Sequence, residues 1–178
     1  MRLLIIGENR RKVKKNKIEN NINTFEVKII YKKILLATDG SFHANNAAKQ
    51  VVEFQKIWNS MVVIIHSIKD NRIPSELYPD ATVLYSKHTT FEEVYKEAGK
   101  NLLEKTRNMF GKNQELVETR LIENEAPENY ITRIVEEENF DLIVIGSRGQ
   151  HSKIKEALLG TVSTKVAKRA PCSVLIVK

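Results

Sequence analysis

Residues 140–178 read FDLIVIGSRGQHSKIKEALLGTVSTKVAKRAPCSVLIVK. Two short apolar runs, 140–146 and 172–177, flank a polar stretch with helical spacing over residues 154–169. Continuously apolar runs this short are expected of strands buried on both faces of a parallel sheet. Pro171 ends the helix before the second run. Strand, crossover helix and parallel strand together form an α/β unit with a right-handed connection.

The same alternation extends towards the N-terminus. KKILLAT (32–38) reads as a buried strand, and the turn Asp39-Gly40-Ser41 ends it. Ser41 is placed to cap the next helix by accepting a hydrogen bond from an orphan backbone N–H. Over residues 42–58, Ala44, Ala47, Ala48, Val51 and Val52 share one helical face, with Trp58 closing its end. MVVIIHSI (61–68) is a second strand, and the polar stretch 69–88, with Pro74 and Pro79, a long loop. Residues 89–110 have helical spacing, with Thr89 or Thr90 as cap and Glu92 and Glu93 in the first turn. LVETRLIE (116–123) is a third strand, and Pro127 is suited to opening the helix that follows. The chain is therefore expected to form an α/β fold, an open doubly wound parallel five-stranded sheet with helices on both faces, Rossmann-like in plan. Such sheets bind ligands beyond the carboxyl ends of their strands, where strand order reverses. That directs attention to the ends of strands one, two and four.

Composition narrows the class. With 42% hydrophobic residues the chain is too apolar for a disordered protein. It has no apolar run of about 18 residues, so no membrane span is expected. MRLLIIG is too short for a secretory h-region of about 7–15 apolar residues. The lone Cys172 excludes an internal disulfide and fits a reducing, cytoplasmic setting. The net charge is +7, yet residues 1–33 carry ten Lys/Arg against three Glu, leaving nineteen of each sign in residues 34–178. The basic character thus belongs to an N-terminal extension (1–31) and not to the domain (32–178). No aromatic interleaving accompanies it, so nucleic acid is not the expected partner. MRLLIIG and TFEVKII (24–30) leave two readings of this extension, an edge hairpin or a tail.

Three features carry chemistry. Ala37-Thr38-Asp39 ends strand one, where a carboxylate can meet a sugar hydroxyl or a cation. Gly146-Ser147-Arg148-Gly149 follows strand four, where glycines let backbone N–H groups approach an anion. Gly160-Thr161-Val162-Ser163 interrupts the last helical stretch. A glycine inside a helix costs about 1 kcal/mol against alanine, and a helix restarting there would offer free N–H groups to phosphate. No Gly-x-Gly-x-x-Gly follows strand one, and no Gly-Lys-Ser/Thr is present, so neither the dinucleotide fingerprint nor the Walker A loop applies.

Through KKILLATDGS, VVIIHSI and DLIVIGSRG…IKEALLGTVSTKVAKRAPCSVLIVK, residues 32–178 resemble the universal stress protein family. Its ATP-binding branch carries Gly-x-x-Gly, nine residues, then Gly-Ser/Thr. Here Gly146 and Gly149 fill the first pair and Gly160-Thr161 the last. Ten residues, Gln150 to Leu159, lie between them, and the extra one falls within Gln150–Lys153. The resemblance implies that Ala37, Thr38 and Asp39 line the adenosine and that the Ser67 backbone meets the adenine edge. It also implies that Ile145 and Gly146 flank ribose and phosphates. Gly149, Gly160, Thr161 and Val162 would hold the phosphates, joined by Ser163, and Arg148 would either neutralise their charge or face water. The implied ligand is ATP, with ADP and AMP as alternatives, together with Mg²⁺. The implied assembly is a homodimer through Ser173–Val177, and an unpaired edge strand also invites pairing on physical grounds.

Other residues read as structural. His43, His66 and His88 have no partner at metal-ligand spacing. His151 lies close enough to the glycine loop to deserve a test. Cys172 is expected to behave as a small buried hydrophobe, and Trp58 and Phe110 as closures of helix ends. Three functions compete: a nucleotide-binding regulatory protein with at most slow hydrolysis, a dimerisation module of the same fold without nucleotide, and a phosphoryl acceptor using Asp39. The last needs further carboxylates beside the acceptor, and strand one offers only Asp39.

Overall fold

The computed structural model describes residues 4–6 (as backbone), 31–68, 91–149 and 159–178. In chain order its elements are β1 (Leu4–Ile6), β2 (Lys33–Ala37), α1 (Phe42–Trp58), β3 (Met61–Ile68), α2 (Phe91–Asn108), a 3-10 turn (Gly111–Leu116), β4 (Val117–Glu123), α3 (Pro127–Glu137), β5 (Leu142–Gly146), α4 (Thr161–Arg169) and β6 (Ser173–Val177). The sheet order is β1-β6-β5-β2-β3-β4. From β6 to β4 all neighbours are parallel, which is the expected five-stranded sheet.

Alternation along the strands divides the core in two. Ile34, Leu36, Val62, Ile64, Leu142, Val144, Leu175 and Val177 face α1 and α2, where Ala47, Ala48, Val51 and Leu103 meet them. Leu35, Val63, Ile65, Ile143, Ile145, Val174 and Ile176 face α3 and α4, against Ile131, Ile134, Val135 and Val166. Ile34–Ala37 of β2 and Leu142–Ile145 of β5 are thus all apolar because both faces are covered. Phe110 is buried in the first cluster, and Trp58 stacks on Phe54 with ring centroids 4.9 Å apart. Phe110 closes its helix end against the core, as expected, whereas Trp58 reaches the core only through Phe54 and Tyr31.

Among the expected boundaries that move, two bear on the site. The last helix, expected over 154–169, begins within the described residues at Thr161. Gly160 is its N-cap, at φ −76° and ψ 170°. Strand four starts at Leu142 and not at Phe140, because the Asp141 carboxylate accepts the backbone N–H groups of Lys32 (2.9 Å) and Lys33 (3.0 Å). The loop 69–88, the caps Thr89 and Thr90, the segment 24–30 and the extra residue in Gln150–Lys153 lie outside the described residues.

The edge expected to be open is not. Leu4, Ile5 and Ile6 run antiparallel along β6, opposite Ile176, Leu175 and Val174. Part of the basic extension is therefore a sixth strand, and β6 is an interior strand of the sheet.

Candidate functional site

β2 and β5 are neighbours, but the chain leaves them in opposite directions, to β3 on one side and to β6 on the other. Their carboxyl ends form the topological switch point, beyond which such sheets leave a ligand crevice, and most of the predicted residues lie around it. At the end of β2, the Thr38 N–H donates to the Ile65 carbonyl (2.9 Å). The turn after it is tied down locally. Thr38 Oγ1 accepts the Gly40 N–H (3.3 Å) and Asp39 Oδ1 accepts the Ser41 N–H (3.0 Å). Gly40 has φ 76°, a conformation that a side chain would disfavour. Ser41 Oγ accepts the Ala44 N–H (3.2 Å), the cap foreseen, and its hydroxyl donates to the Arg148 carbonyl (3.3 Å). That bond, invisible in the sequence, joins the α1 cap to the glycine loop.

At the end of β5 the knot is Ser147. Its N–H donates to the Val177 carbonyl, and its carbonyl accepts the Gly160 N–H, both at 2.7 Å. The same carbonyl lies 3.1 Å from Ser163 Oγ, which also lies 3.0 Å from the Gly160 carbonyl. Ser163 is buried and its hydroxyl is committed to these internal acceptors. The Gly160 N–H is likewise spent within the protein. The groups without a partner among the described residues are the N–H groups of Thr161, Val162 and Ser163, the first turn of α4, where no side chain caps the helix. Anion affinity at this end comes from those orphan donors and the positive end of the helix dipole.

The three glycines have three different reasons. A Cβ on Gly146 would lie 2.7 Å from the Ala44 nitrogen and 2.8 Å from the His43 carbonyl carbon, so this glycine lets α1 pack on β5. A Cβ on Gly149 would lie 2.6 Å from Asp39 Oδ2, so the loop touches the acidic tip of β2. A Cβ on Gly160 would meet only ordinary contacts, the Ser147 carbonyl oxygen at 3.4 Å and the Gly149 nitrogen at 3.7 Å. The fold therefore tolerates a methyl group there, and it would stand between the glycine loop and the start of α4.

Of the predicted residues, Ala37, Thr38, Asp39, Ile145, Gly146, Arg148, Gly149, Gly160, Thr161 and Val162 belong to this rim. Thr38 and Ile145 are buried, while Gly149 and Thr161 are exposed. Ser67 lies at the neighbouring end of β3, where its hydroxyl donates to the Glu125 carbonyl (2.7 Å). Beside it, the buried His66 ring places Nδ1 2.9 Å from the Thr38 carbonyl. Burial lowers the His66 pKa, opposed by the Thr38 bond and by Asp39. Cys172 packs at the edge of the second core cluster, and burial pushes its thiol up to about 11. Among the described residues no three His, Cys, Asp or Glu side chains cluster as metal ligands would.

An open parallel α/β sheet with a helix N-terminus and a glycine loop at its topological switch point defines a class of doubly wound folds that bind ligands there. The profile of the Universal stress protein family matches residues 30–178. The chain belongs to the universal stress protein family. It is 31% identical over 152 residues to universal stress protein MJ0531 of Methanocaldococcus jannaschii, covering 84% of this chain and 83% of that one. It is 33% identical over 154 residues to a putative universal stress protein of Staphylococcus aureus, covering 84% of this chain and 86% of that one. Among solved structures, MJ0577 superposes with a TM-score of 0.62 at 27% identity, covering 84% of this chain and 97% of that one. A universal stress protein from Archaeoglobus fulgidus, solved in complex with dAMP, shares the fold at a TM-score of 0.54 and 21% identity, covering 84% of this chain and 100% of that one. No helix among the described residues is long and apolar enough to cross a membrane.

Proposed function

We propose that this protein is a cytoplasmic stress-response regulator that binds ATP, with ADP and AMP as alternative ligands, in the crevice between β2 and β5. The observation that carries this reading is the set of unpartnered N–H groups of Thr161, Val162 and Ser163, beside Gly149 and the Asp39 tip. Those donors suit phosphate oxygens. Ala37, Thr38 and Asp39 would hold the adenosine, Ile145 and Gly146 would floor the crevice, and Ser67 would meet the base through its backbone. Arg148 is half-buried next to Gly149, where a guanidinium adds to the attraction for phosphate. The dAMP complex of the Archaeoglobus fulgidus relative and a cAMP complex of another universal stress protein support an adenine nucleotide as the ligand class.

The donor set fits a triphosphate better than a bare metal ion. The described residues contain no ligand cluster, so Mg²⁺ would arrive on the phosphates, with Asp39 as the carboxylate at this edge. Such an ion supplies charge neutralisation for the phosphate oxygens. Hydrolysis, where it occurs, is slow, and the role is regulatory, read out by changed partner contacts.

Calorimetry with ATP and Mg²⁺ tests the reading. The expected dissociation constant is micromolar, on the order of −8 kcal/mol. Protein that gives no heat and carries no nucleotide when its extract is examined by native mass spectrometry ends it. The extra residue between Gly149 and Gly160 favours a second reading, a nucleotide-free interaction module of the same fold, and the same experiment separates the two. Homodimerisation through Ser173–Val177 is part of the proposal, with the condition that Leu4–Ile6 first vacate that edge.

A further inference from the structure

His66 controls a rung of the sheet. In a parallel ladder a residue's N–H and C=O point to the same side, and alternate residues point to opposite sides. Ile65 accepts from the Thr38 N–H, so Ile65 faces β2. Ser67, two residues on, faces β2 as well. The next regular rung would be the Ser67 N–H donating to the Thr38 carbonyl. That rung does not form: the β2–β3 register ends at Ala37 opposite Ile65, and the Thr38 carbonyl takes its hydrogen bond from His66 Nδ1 at 2.9 Å. A carbonyl accepts only, so Nδ1 carries the proton.

The ring is built into this place. It is 5% exposed. Gly99 of α2 faces it, and a Cβ there would lie 3.2 Å from His66 Cδ2 and 2.6 Å from Leu121 Cδ1. Burial lowers the His66 pKa, which keeps the imidazole neutral near pH 7, the state in which Nδ1–H is a single directed donor.

We propose that His66 is a positioning residue whose imidazole takes the place of the Ser67 amide at the Thr38 carbonyl, stops the β2–β3 ladder one rung early, and so leaves the Ser67 N–H and C=O exposed towards the crevice as a donor–acceptor edge for a base. The Ser67 N–H makes no bond to the Thr38 carbonyl, and by the same alternation it points away from β4. The consequence is a division of labour. The phosphate half of the crevice depends on α4 and the glycine loop, and the base half depends on a side chain that never touches the ligand. The affinity part of this inference rests on the nucleotide reading above; the ladder part does not.

The test uses the full chain with three variants. His66→Asn places its side-chain amide nitrogen close to the position of Nδ1 and restores the bond to Thr38. His66→Gln places its amide at the position of Nε2, and His66→Leu has no donor, so both leave the Thr38 carbonyl to recruit the Ser67 N–H. Amide hydrogen exchange without nucleotide is the first readout. Ser67 is expected to exchange fast in the wild type and in His66→Asn, and at least tenfold slower in His66→Gln and His66→Leu. ATP titration is the second. His66→Asn is expected within threefold of wild type, and the other two at least tenfold weaker. Unchanged Ser67 exchange in a folded His66→Gln or His66→Leu overturns the proposal, as does loss of affinity in His66→Asn equal to that in His66→Leu. The expected exchange pattern with no ATP binding by any protein would sink the nucleotide reading alone and leave the ladder mechanism standing.

Discussion

Alanine at each of the three glycines should separate fold from ligand, because the same added methyl meets a different neighbour each time. At Gly160 the nearest atoms lie at ordinary contact distances and the backbone is extended, so the folded state absorbs it. Alanine is a poorer N-cap than glycine but reduces the freedom of the unfolded chain, and these effects offset to within about 1 kcal/mol. At about 2–4 °C per kcal/mol for a chain of this size, the melting temperature should barely move. Binding is another matter. The methyl occupies the gap between the Gly149 amide and the first turn of α4. Losing two charge-assisted bonds from the Thr161, Val162 and Ser163 N–H groups, at about 1.5–3 kcal/mol each, costs about 3–6 kcal/mol. That is a factor of roughly 10² to 10⁴ in dissociation constant.

Gly146→Ala should behave in the opposite way. Its methyl would meet α1 backbone at 2.7–2.8 Å, and backbone cannot rotate aside. Overpacking of this kind costs about 3 kcal/mol, so melting should fall by about 6–12 °C. Gly149→Ala lies between, since the obstacle at 2.6 Å is the Asp39 carboxylate, which can turn away at the expense of its bond to the Ser41 N–H. Thermal melts and ATP titrations on the three proteins should therefore rank them in different orders: Gly146→Ala least stable, Gly160→Ala weakest in binding. A Gly160→Ala protein that binds ATP like wild type, or that melts as early as Gly146→Ala, refutes the assignment of Gly160 to the ligand.

Three further outcomes follow from the same structure. The depressed His66 pKa means the unfolded chain binds a proton that the native chain refuses, so stability should fall as pH drops below about 6.5; urea midpoints at pH 7.5 and 5.5 should differ, and the difference should shrink in His66→Asn. Cys172, with its thiol pushed up to about 11, should react with iodoacetamide at pH 7.5 at least tenfold slower than a free thiol of pKa about 8.5, and labelling at the free-thiol rate would contradict its burial. Removing residues 1–30 should expose the β6 edge now covered by Leu4–Ile6, so sedimentation equilibrium should show tighter self-association than in the full chain; equal association constants would mean that β1 does not guard the edge.

The sequence disclosed the sheet because β2, β5 and β6 are buried on both faces and so are written as unbroken apolar runs, which few other environments permit. It disclosed the crevice because strand order must reverse beside the first strand of such a fold. What it withheld is of a different kind. Gly146, Gly149 and Gly160 look alike in a motif, yet one makes room for a helix, one for a carboxylate, and one makes room for no atom of the described protein. The family resemblance implies Ser163 as a phosphate ligand, but its hydroxyl is turned to the Ser147 and Gly160 carbonyls. The Gly160 N–H, expected to be free, closes a bond to Ser147. Each of these depends on which of two nearby acceptors a donor reaches, a difference of about an ångström set by tertiary packing, and periodicity holds no trace of it. His66 is the sharpest case. From sequence it is a polar residue in a buried strand, with metal ligation and core filling as the natural readings. Only the register shows that it sits where the next backbone rung should be, and that its ring has displaced an amide from its ordinary partner.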